Sequence, residues 1–241
     1  KQNRYNIRMA PPEPLIPRPR RLEAMERVNT SGEVEIPLDE AAVRDAINSL
    51  RKAGVEGLVV LFMHSHRNGA HENRVRELVA DSGWAPFVSL SHEVLRREGE
   101  YDRVSTAAVN AYVGPGLGGY LNRLAVQLAE NGLAAPVLVM QSTGGVLPLD
   151  HAVQHAVGSV TSGPAGGAMA GALFARLRDE PHLVTYDMGG TSTDICLIED
   201  GAPLERQATQ LGEVKIAVPA LDISALGAGG GCGGTTGVGN R

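Results

Sequence analysis

The sequence predicts an α/β fold, and three observations carry that expectation. Between residues 39 and 90 amphipathic and short apolar stretches alternate as helix, strand, helix, strand, the rhythm of a layered α/β domain. Pro136-Val137-Leu138-Val139-Met140-Gln141 is a further apolar run that leads into a glycine turn. Finally, two apolar runs at 183–186 and 195–198 flank Asp187-Met188-Gly189-Gly190-Thr191-Ser192-Thr193-Asp194, which reads as strand, tight turn, strand.

Residues 1–35 hold Pro11, Pro12, Pro14, Pro17 and Pro19 among several arginines and read as a surface connector from something upstream. The first helix is expected from Asp39, a plausible N-cap, to Ala53, with Gly54 closing it and Val43, Ala46, Ile47 and Leu50 on one face. Gly57 to Phe62 is expected as a strand buried on both faces, Glu72 to Ala80 as a second helix, and Pro86 to Leu90 as the next strand. Residues 104–131 read as helical on either side of Gly114-Pro115-Gly116, and 136–141 as a buried strand ending in the turn Ser142-Thr143-Gly144-Gly145. A helix from Ser162, its candidate cap, to about Arg178 begins with small residues that permit close packing. After the central hairpin the chain reads as strand-rich to Val218 and closes on a glycine-rich run from Gly227.

Composition narrows the function. The chain has 241 residues, of which 43% are apolar and 4% aromatic, so its core must be aliphatic. A net charge of −5 argues against a nucleic-acid partner. No apolar run approaches the roughly 18 residues of a membrane span. Cys196 and Cys232 form neither a metal-ligand pattern nor a disulfide framework, which fits a reducing, cytoplasmic setting. Cys196, in an apolar strand, is expected as a small buried hydrophobe. The opening Lys1-Gln2-Asn3-Arg4 carries no Met and no leader, so a piece of a longer protein is expected.

The chemistry centres on the 187–194 turn. Gly189 and Gly190 let the backbone approach a ligand and turn N–H groups toward it, and Thr191 and Thr193 add hydroxyl donors. Such a turn suits phosphate oxygens, but Asp187 and Asp194 would repel them unless a divalent cation lies between. Together they point to a magnesium-bound nucleotide; an ordinary hairpin with Asp and Thr as turn formers is the bland alternative. His64-Ser65-His66 with His71-Glu72 offers metal-type ligands. No fourth spaced ligand accompanies them, so a polar strand end before a helix start is the preferred reading. Ser91-His92-Glu93 and Glu100-Tyr101-Asp102-Arg103 are polar clusters beyond a strand, suited either to a site or to a salt-bridge network.

These residues together form a pattern. The 187–194 turn resembles a phosphate loop of the actin-like ATPase superfamily, which includes sugar kinases and heat-shock chaperones. More closely, the chain resembles the hydantoinase A / 5-oxoprolinase family. The matching stretches are Glu26-Arg27, Gly32-Glu33-Val34, His71-Glu72, Ser91-His92-Glu93, Glu100-Tyr101, Asn110-Ala111-Tyr112, Met140-Gln141-Ser142 with Gly144-Gly145, Ser162 to Gly167, Asp187 to Asp194 and Gly227 to Gly231.

The resemblance implies an actin-like (ribonuclease H-like) α/β fold, incomplete here, with an N-terminal α/β portion. It implies a connector at 1–35, that portion at 36–160, and the phosphate-loop part of the nucleotide-binding domain at 161–241, cut short at its end. The family's first phosphate loop would lie upstream of Lys1, and the residues after Gly231 depart from the family pattern. The implied activity is ATP-dependent opening of a cyclic amide, hydantoin or 5-oxoproline, through phosphorylation of the amide oxygen. ATP and Mg2+ are the implied cofactors. Gly189, Gly190, Thr191, Thr193, Gly227, Gly229, Gly230 and Gly231 would face the nucleotide. Asp187 and Asp194 would serve catalysis and magnesium, and Ser142, Gly144 and Gly145 the substrate side. A second subunit or domain of the hydantoinase B type, and an oligomer, are the implied partners. The alternatives are a subunit of an ATP-dependent acetone/acetophenone-type carboxylase, or a non-catalytic nucleotide-binding fragment.

Overall fold

The computed structural model describes Arg8 and residues 14–229. The chain forms two units, one running through Ala108 and including Gln210–Lys215, the other comprising Val109–Thr209 and the residues from Ile216 onward. The division falls inside a helix. Residues 142–161 belong to the second unit and are tied together within it: the Ser142 N–H donates to the Gly158 carbonyl and the Thr161 N–H to the Ser142 hydroxyl.

The first unit opens with a small antiparallel ladder, β1 (Arg27–Val28) with β2 (Val34–Ile36). Asn29 closes its turn by accepting the Ser31 and Glu33 N–H groups on its side-chain oxygen. The expected connector therefore acquires structure before residue 35. Next come α1 (Glu40–Lys52), β3 (Gly57–Val60), α2 (Ala70–Asp81) and β4 (Phe87–Leu90). Asp39 caps α1 as expected, its carboxylate accepting the Ala42 N–H at 3.0 Å. Val43, Ile47 and Leu50 of α1 share one aliphatic core with Leu58 and Val60 of β3, Val75, Leu78 and Val79 of α2 and Leu90 of β4. The strands β3 and β4 are parallel, Gly57 opposite Phe87 and Val60 opposite Leu90, and α2 supplies the crossover that parallel strands need. β3 ends at Val60, not Phe62, because side chains take over the backbone: the Phe62 N–H donates to Glu72 and its carbonyl accepts from Arg103.

A short helix α3 (Ser91–Val94) leads to α4 (Glu100–Glu130). The sequence suggested an interruption at 114–116, yet α4 is continuous with Pro115 inside it. Proline deletes one N–H and strains one turn. Packing offsets this: Asn110 donates to the Gln154 carbonyl and accepts the Val157 N–H, both at 3.0 Å, and a β-carbon on Gly118 would lie 3.1 Å from Val153.

The second unit continues with the hairpin β5 (Leu138–Met140) and β6 (Val146–Pro148), then α5 (Leu149–Gln154), a 3-10 turn at Ala156–Ser159, and α6 (Ser162–Arg178). β5 is not the buried strand expected: Leu138 is exposed, with only one neighbouring strand. Nor does Ser162 cap α6. It is the first helical residue, Thr161 holds the cap position, and no side-chain bond is made there. Eight strands come after α6: β7 (Leu183–Met188), β8 (Thr193–Glu199), β9 (Ala202–Pro203), β10 (Glu205–Arg206), β11 (Thr209–Leu211), β12 (Val214–Ile216), β13 (Ala220–Leu221) and β14 (Ile223–Leu226). β14, β8 and β7 form one antiparallel sheet in that order, with β9 also on β8. β10 pairs with β13, and β11 with β12.

α6 packs on one face of this sheet through Ala165, Ala168, Ala172 and Ala175, which meet Cys196, Ile198, Leu183, Leu221 and Ile223. The small residues are required here: a β-carbon on Gly171 would lie 2.1 Å from the Thr185 methyl. On the other face Val184, Tyr186, Met188 and Leu197 are exposed. Among the described residues no helix is long and apolar enough to cross a membrane.

Candidate functional site

β7 and β8 meet at the 187–194 turn in a register that sets Asp187 directly opposite Asp194. Directly opposed residues of an antiparallel pair project to the same face, so the two carboxylates stand side by side. Both line a cleft of about 180 Å³ between this hairpin and the first turns of α6, where Pro164, Gly167 and Ala168 form the opposite wall. A β-carbon on Gly167 would lie 3.6 Å from an Asp187 carboxylate oxygen, so the helix backbone comes close to the acid. Cys196 lies at the bottom of this cleft, buried as expected, and burial pushes its thiol above the ordinary value.

The turn itself is closed by the Gly189 N–H, which donates to the Ser192 carbonyl at 2.9 Å. That donor therefore serves the turn. Gly190 has open space where a side chain would be, and Thr191 beside it is exposed. The loop from Gly227 lies against this tip. A β-carbon on Gly229 would lie 2.5 Å from both the Gly190 carbonyl carbon and the Thr191 nitrogen. No side chain fits there, so backbone packs on backbone. Thr193 completes the contact from beneath: it is buried and its hydroxyl donates to the Ala228 carbonyl. Of the residues expected at a nucleotide, the structure thus brings Gly189, Gly190, Thr191, Thr193, Gly227 and Gly229 to one place, with Thr193 holding the two loops together. Gly230 and Gly231 lie outside the described residues.

Ser142, Gly144 and Gly145 are engaged in support. Ser142 is buried; its N–H donates to Gly158, its hydroxyl accepts from Thr161, and its carbonyl accepts from Leu221. Gly144, at φ +81, donates to Gln141, and a β-carbon there would strike Met169 of α6 at 2.6 Å. Gly145 accepts the Gln141 N–H at 2.8 Å. This turn braces α6, the opposite wall of the cleft.

In the first unit the polar motifs find one another. His71 does not join the His64-His66 pair; its Nδ1 meets the Glu26 carboxylate at 2.7 Å. Glu72, with no exposed surface, accepts from the Ser91 hydroxyl at 2.7 Å and the His92 N–H at 3.1 Å, and meets His92 Nδ1 at 2.7 Å. Burial pushes its carboxyl up, but the bonds from His92, Ser91 and Ser65 outweigh that and hold it below the ordinary range. A β-carbon on Gly69 would strike the His92 ring at 2.4 Å, so that ring is wedged in place. Arg103, also fully buried, donates to Ser65, the Phe62 carbonyl and Glu100. Asp102 accepts both from Lys215, at 2.7 and 2.8 Å, and from Arg97 at 2.8 Å. The Ser91–Glu93 and Glu100–Arg103 clusters are therefore largely a salt-bridge network. The signal for Glu26 as His71's partner was its place among the family motifs; spacing alone could not join residues so far apart in sequence.

Comparison with known proteins identifies relatives along most of the chain. The family model "Hydantoinase/oxoprolinase" matches residues 103–236, and "Hydantoinase/oxoprolinase N-terminal region" matches residues 1–83. The chain is 36% identical to caprolactamase subunit alpha of Pseudomonas jessenii over 95% of its own length and 33% of that protein's. It is 35% identical to 5-oxoprolinase 1 of Arabidopsis thaliana over 81% of its own length and 15% of that protein's. It is 28% identical to the acetone carboxylase beta subunit of Xanthobacter autotrophicus over 90% of its own length and 31% of that protein's. Among solved structures, the ATP-dependent caprolactamase of Pseudomonas jessenii superposes with a TM-score of 0.82 at 35% identity, covering 95% of this chain and 33% of that one. A nucleotide-free acetone carboxylase gives 0.75 at 27% identity, covering 86% and 29%. The chain thus spans about a third or less of the length of these relatives. Its fold is α/β, of the ATPase type these enzymes share, and the chain belongs to the hydantoinase/oxoprolinase family.

Proposed function

We propose that the full protein to which this chain contributes is an ATP-dependent hydrolase that opens a cyclic amide, with the 187–194 turn as one of its phosphate loops. The observation that carries this reading is the Asp187–Asp194 pair beside a glycine tip on which Gly229 rests. Two carboxylates fixed side by side repel each other unless a cation accompanies them. That donor set, all oxygen, fits Mg2+ with its own waters. The open space at the Gly190 α-carbon, where a side chain would stand, leaves room for a phosphate oxygen. Bound together, ATP supplies the phosphoryl group and Mg2+ offsets its charge.

Asp187 and Asp194 would hold and orient that cation. Gly190 and Thr191 position phosphate oxygens, and the loop from Gly227 borders the nucleotide. With ATP bound, the substrate's amide oxygen would accept the phosphoryl group, releasing ADP, and water would add to the activated ring carbon. The C–N bond would then break with the nitrogen taking a proton, and the acyl phosphate so formed would be hydrolysed at its C–O bond, so that phosphate leaves with the original amide oxygen and a carboxylate remains. Positioning and charge stabilisation dominate such chemistry. A partner subunit or domain and a cytoplasmic setting complete the proposal. The subunit names of the caprolactamase and carboxylase relatives support the partner.

The test uses full-length protein with its partner and a lactam, hydantoin or 5-oxoproline labelled with 18O at the amide carbonyl. Ring opening should require MgATP, and the released phosphate should carry the label. Unlabelled phosphate would sink the phosphorylation step. The acetone and acetophenone carboxylase relatives support a second reading, a carboxylase subunit; ATP turnover that needs bicarbonate and a ketone, with no ring opening, would select it.

A further inference from the structure

The geometry points to a divalent metal site of the zinc class in the first unit, formed by His64, His66 and Glu100. The three offer ligand atoms that all lie within 4.8 Å of one another. A tetrahedral site with metal–nitrogen bonds of about 2.0–2.1 Å needs ligand atoms roughly 3.3 Å apart. A bound metal would therefore draw the ligand atoms together by about 1.5 Å at most. The set is independent of the nucleotide cleft, which belongs to the other unit.

Three observations make these residues a site. His66 has both ring nitrogens enclosed by protein and without a hydrogen-bond partner. Burying unpaired polar atoms is unfavourable, and a metal bond removes the cost at one of them. His64 holds a left-handed φ of +55, rare for a residue with a side chain. The turn at 63–67, in place of the expected strand, brings its ring centroid within 6.1 Å of that of His66. Glu100 begins α4, and Arg103 holds its Oε1 at 3.2 Å, fixing the carboxylate. The group lies beyond the carboxyl ends of the parallel strands β3 and β4, where α/β folds place ligands. Sequence spacing offered His71-Glu72 as the completing ligands. The fold commits those to Glu26, Ser91 and His92 and supplies Glu100 instead.

Two imidazoles and one carboxylate suit Zn2+ and its neighbours rather than Mg2+, which prefers an all-oxygen shell. Three protein ligands leave a coordination position for water or a ligand oxygen.

The test titrates the chain, freed of metal by a chelator, with Zn2+ alone by calorimetry, and with Co2+ by visible absorption. The expected result is one saturable Zn2+ per chain, unaffected by millimolar Mg2+, and Co2+ absorption of low-coordinate intensity. His66→Ala, His64→Ala and Glu100→Gln should each weaken Zn2+ binding at least tenfold, whereas His182→Ala should not. Glu100→Gln keeps side-chain volume, so it remains informative if a histidine variant misfolds; circular dichroism identifies that case. No saturable Zn2+ uptake by the unaltered chain, or unchanged uptake in folded Glu100→Gln, overturns the assignment.

Discussion

Gly229 rests on the Gly190–Thr191 peptide so closely that a β-carbon on Gly229 would lie 2.5 Å from two of its backbone atoms. Two glycine loops separated in sequence thus become one surface, clasped by the Thr193 hydroxyl on Ala228. Gly229→Ala should push the loops apart. Nucleotide affinity of the full-length protein, measured by calorimetry, should fall at least tenfold, while the helical signal and the hydrophobic core stay intact. Undiminished affinity would show that the Gly227 loop does not border the nucleotide.

Asp187 and Asp194 face each other across β7 and β8, and Asp187 is exposed. Asp187→Asn in the full-length enzyme should lower kcat by about two orders of magnitude or more, as loss of a major electrostatic stabiliser does. Nucleotide affinity should fall less, since Gly190 and the Thr191 hydroxyl remain. The melting temperature should hold or rise slightly, because like charges directly opposed destabilise a strand pair. A variant that melts early yet turns over normally would assign Asp187 to the hairpin alone.

Ser142 gives the opposite pattern. Its hydroxyl accepts from Thr161 at the start of α6. Ser142→Ala leaves that half-buried N–H unpaired and should cost about 1 kcal/mol of stability. Activity per folded molecule should persist. Denaturant unfolding and steady-state kinetics on one preparation separate the two; lost activity at full stability would return Ser142 to the substrate.

The carboxyls of Glu72 and Asp102 both lie below their ordinary values of 4.5 and 3.8. For Asp102 the cause is chiefly Lys215, then Arg97. Groups that hold protons less tightly when folded stabilise the fold fully above their unfolded values, and that contribution fades as pH falls through the folded ones. Urea midpoints should therefore be flat from pH 7 to about 5 as far as these two groups are concerned, and fall below about pH 4.5. Asp102→Asn should lower the midpoint at pH 7 and flatten the acid slope. An unchanged slope would remove the Lys215 pairing as its source.

Glu72→Gln should destabilise the first unit by about 3 kcal/mol, the scale for breaking a buried charged network. His92 packs directly over Gly69 and meets the Glu72 carboxylate with its Nδ1. A change below about 0.5 kcal/mol would show that the pair contributes no more than a surface contact.

The sequence by itself determined what local chemistry governs. The α1 cap at Asp39, its Val43–Ile47–Leu50 face, the apolar strands β3 and β4 and the 187–194 hairpin were all legible, because periodicity, capping and glycine turns act over a few residues. The family was legible from ordered motifs. Tertiary structure decided the rest. It carried α4 through Pro115, because packing on Val153 and the Asn110 bonds outweighs one missing hydrogen bond. It ended β3 at Val60, where Glu72 and Arg103 satisfy the Phe62 backbone. It enclosed Ser142 in bonds to Gly158, Thr161 and Leu221, and it tied His71 and Glu72 to Glu26, Ser91 and His92 while bringing Glu100 close to His64 and His66. Each of these depends on which distant side chain meets an unpaired group. A linear pattern does not encode that, because the partner is selected by how helices and strands pack.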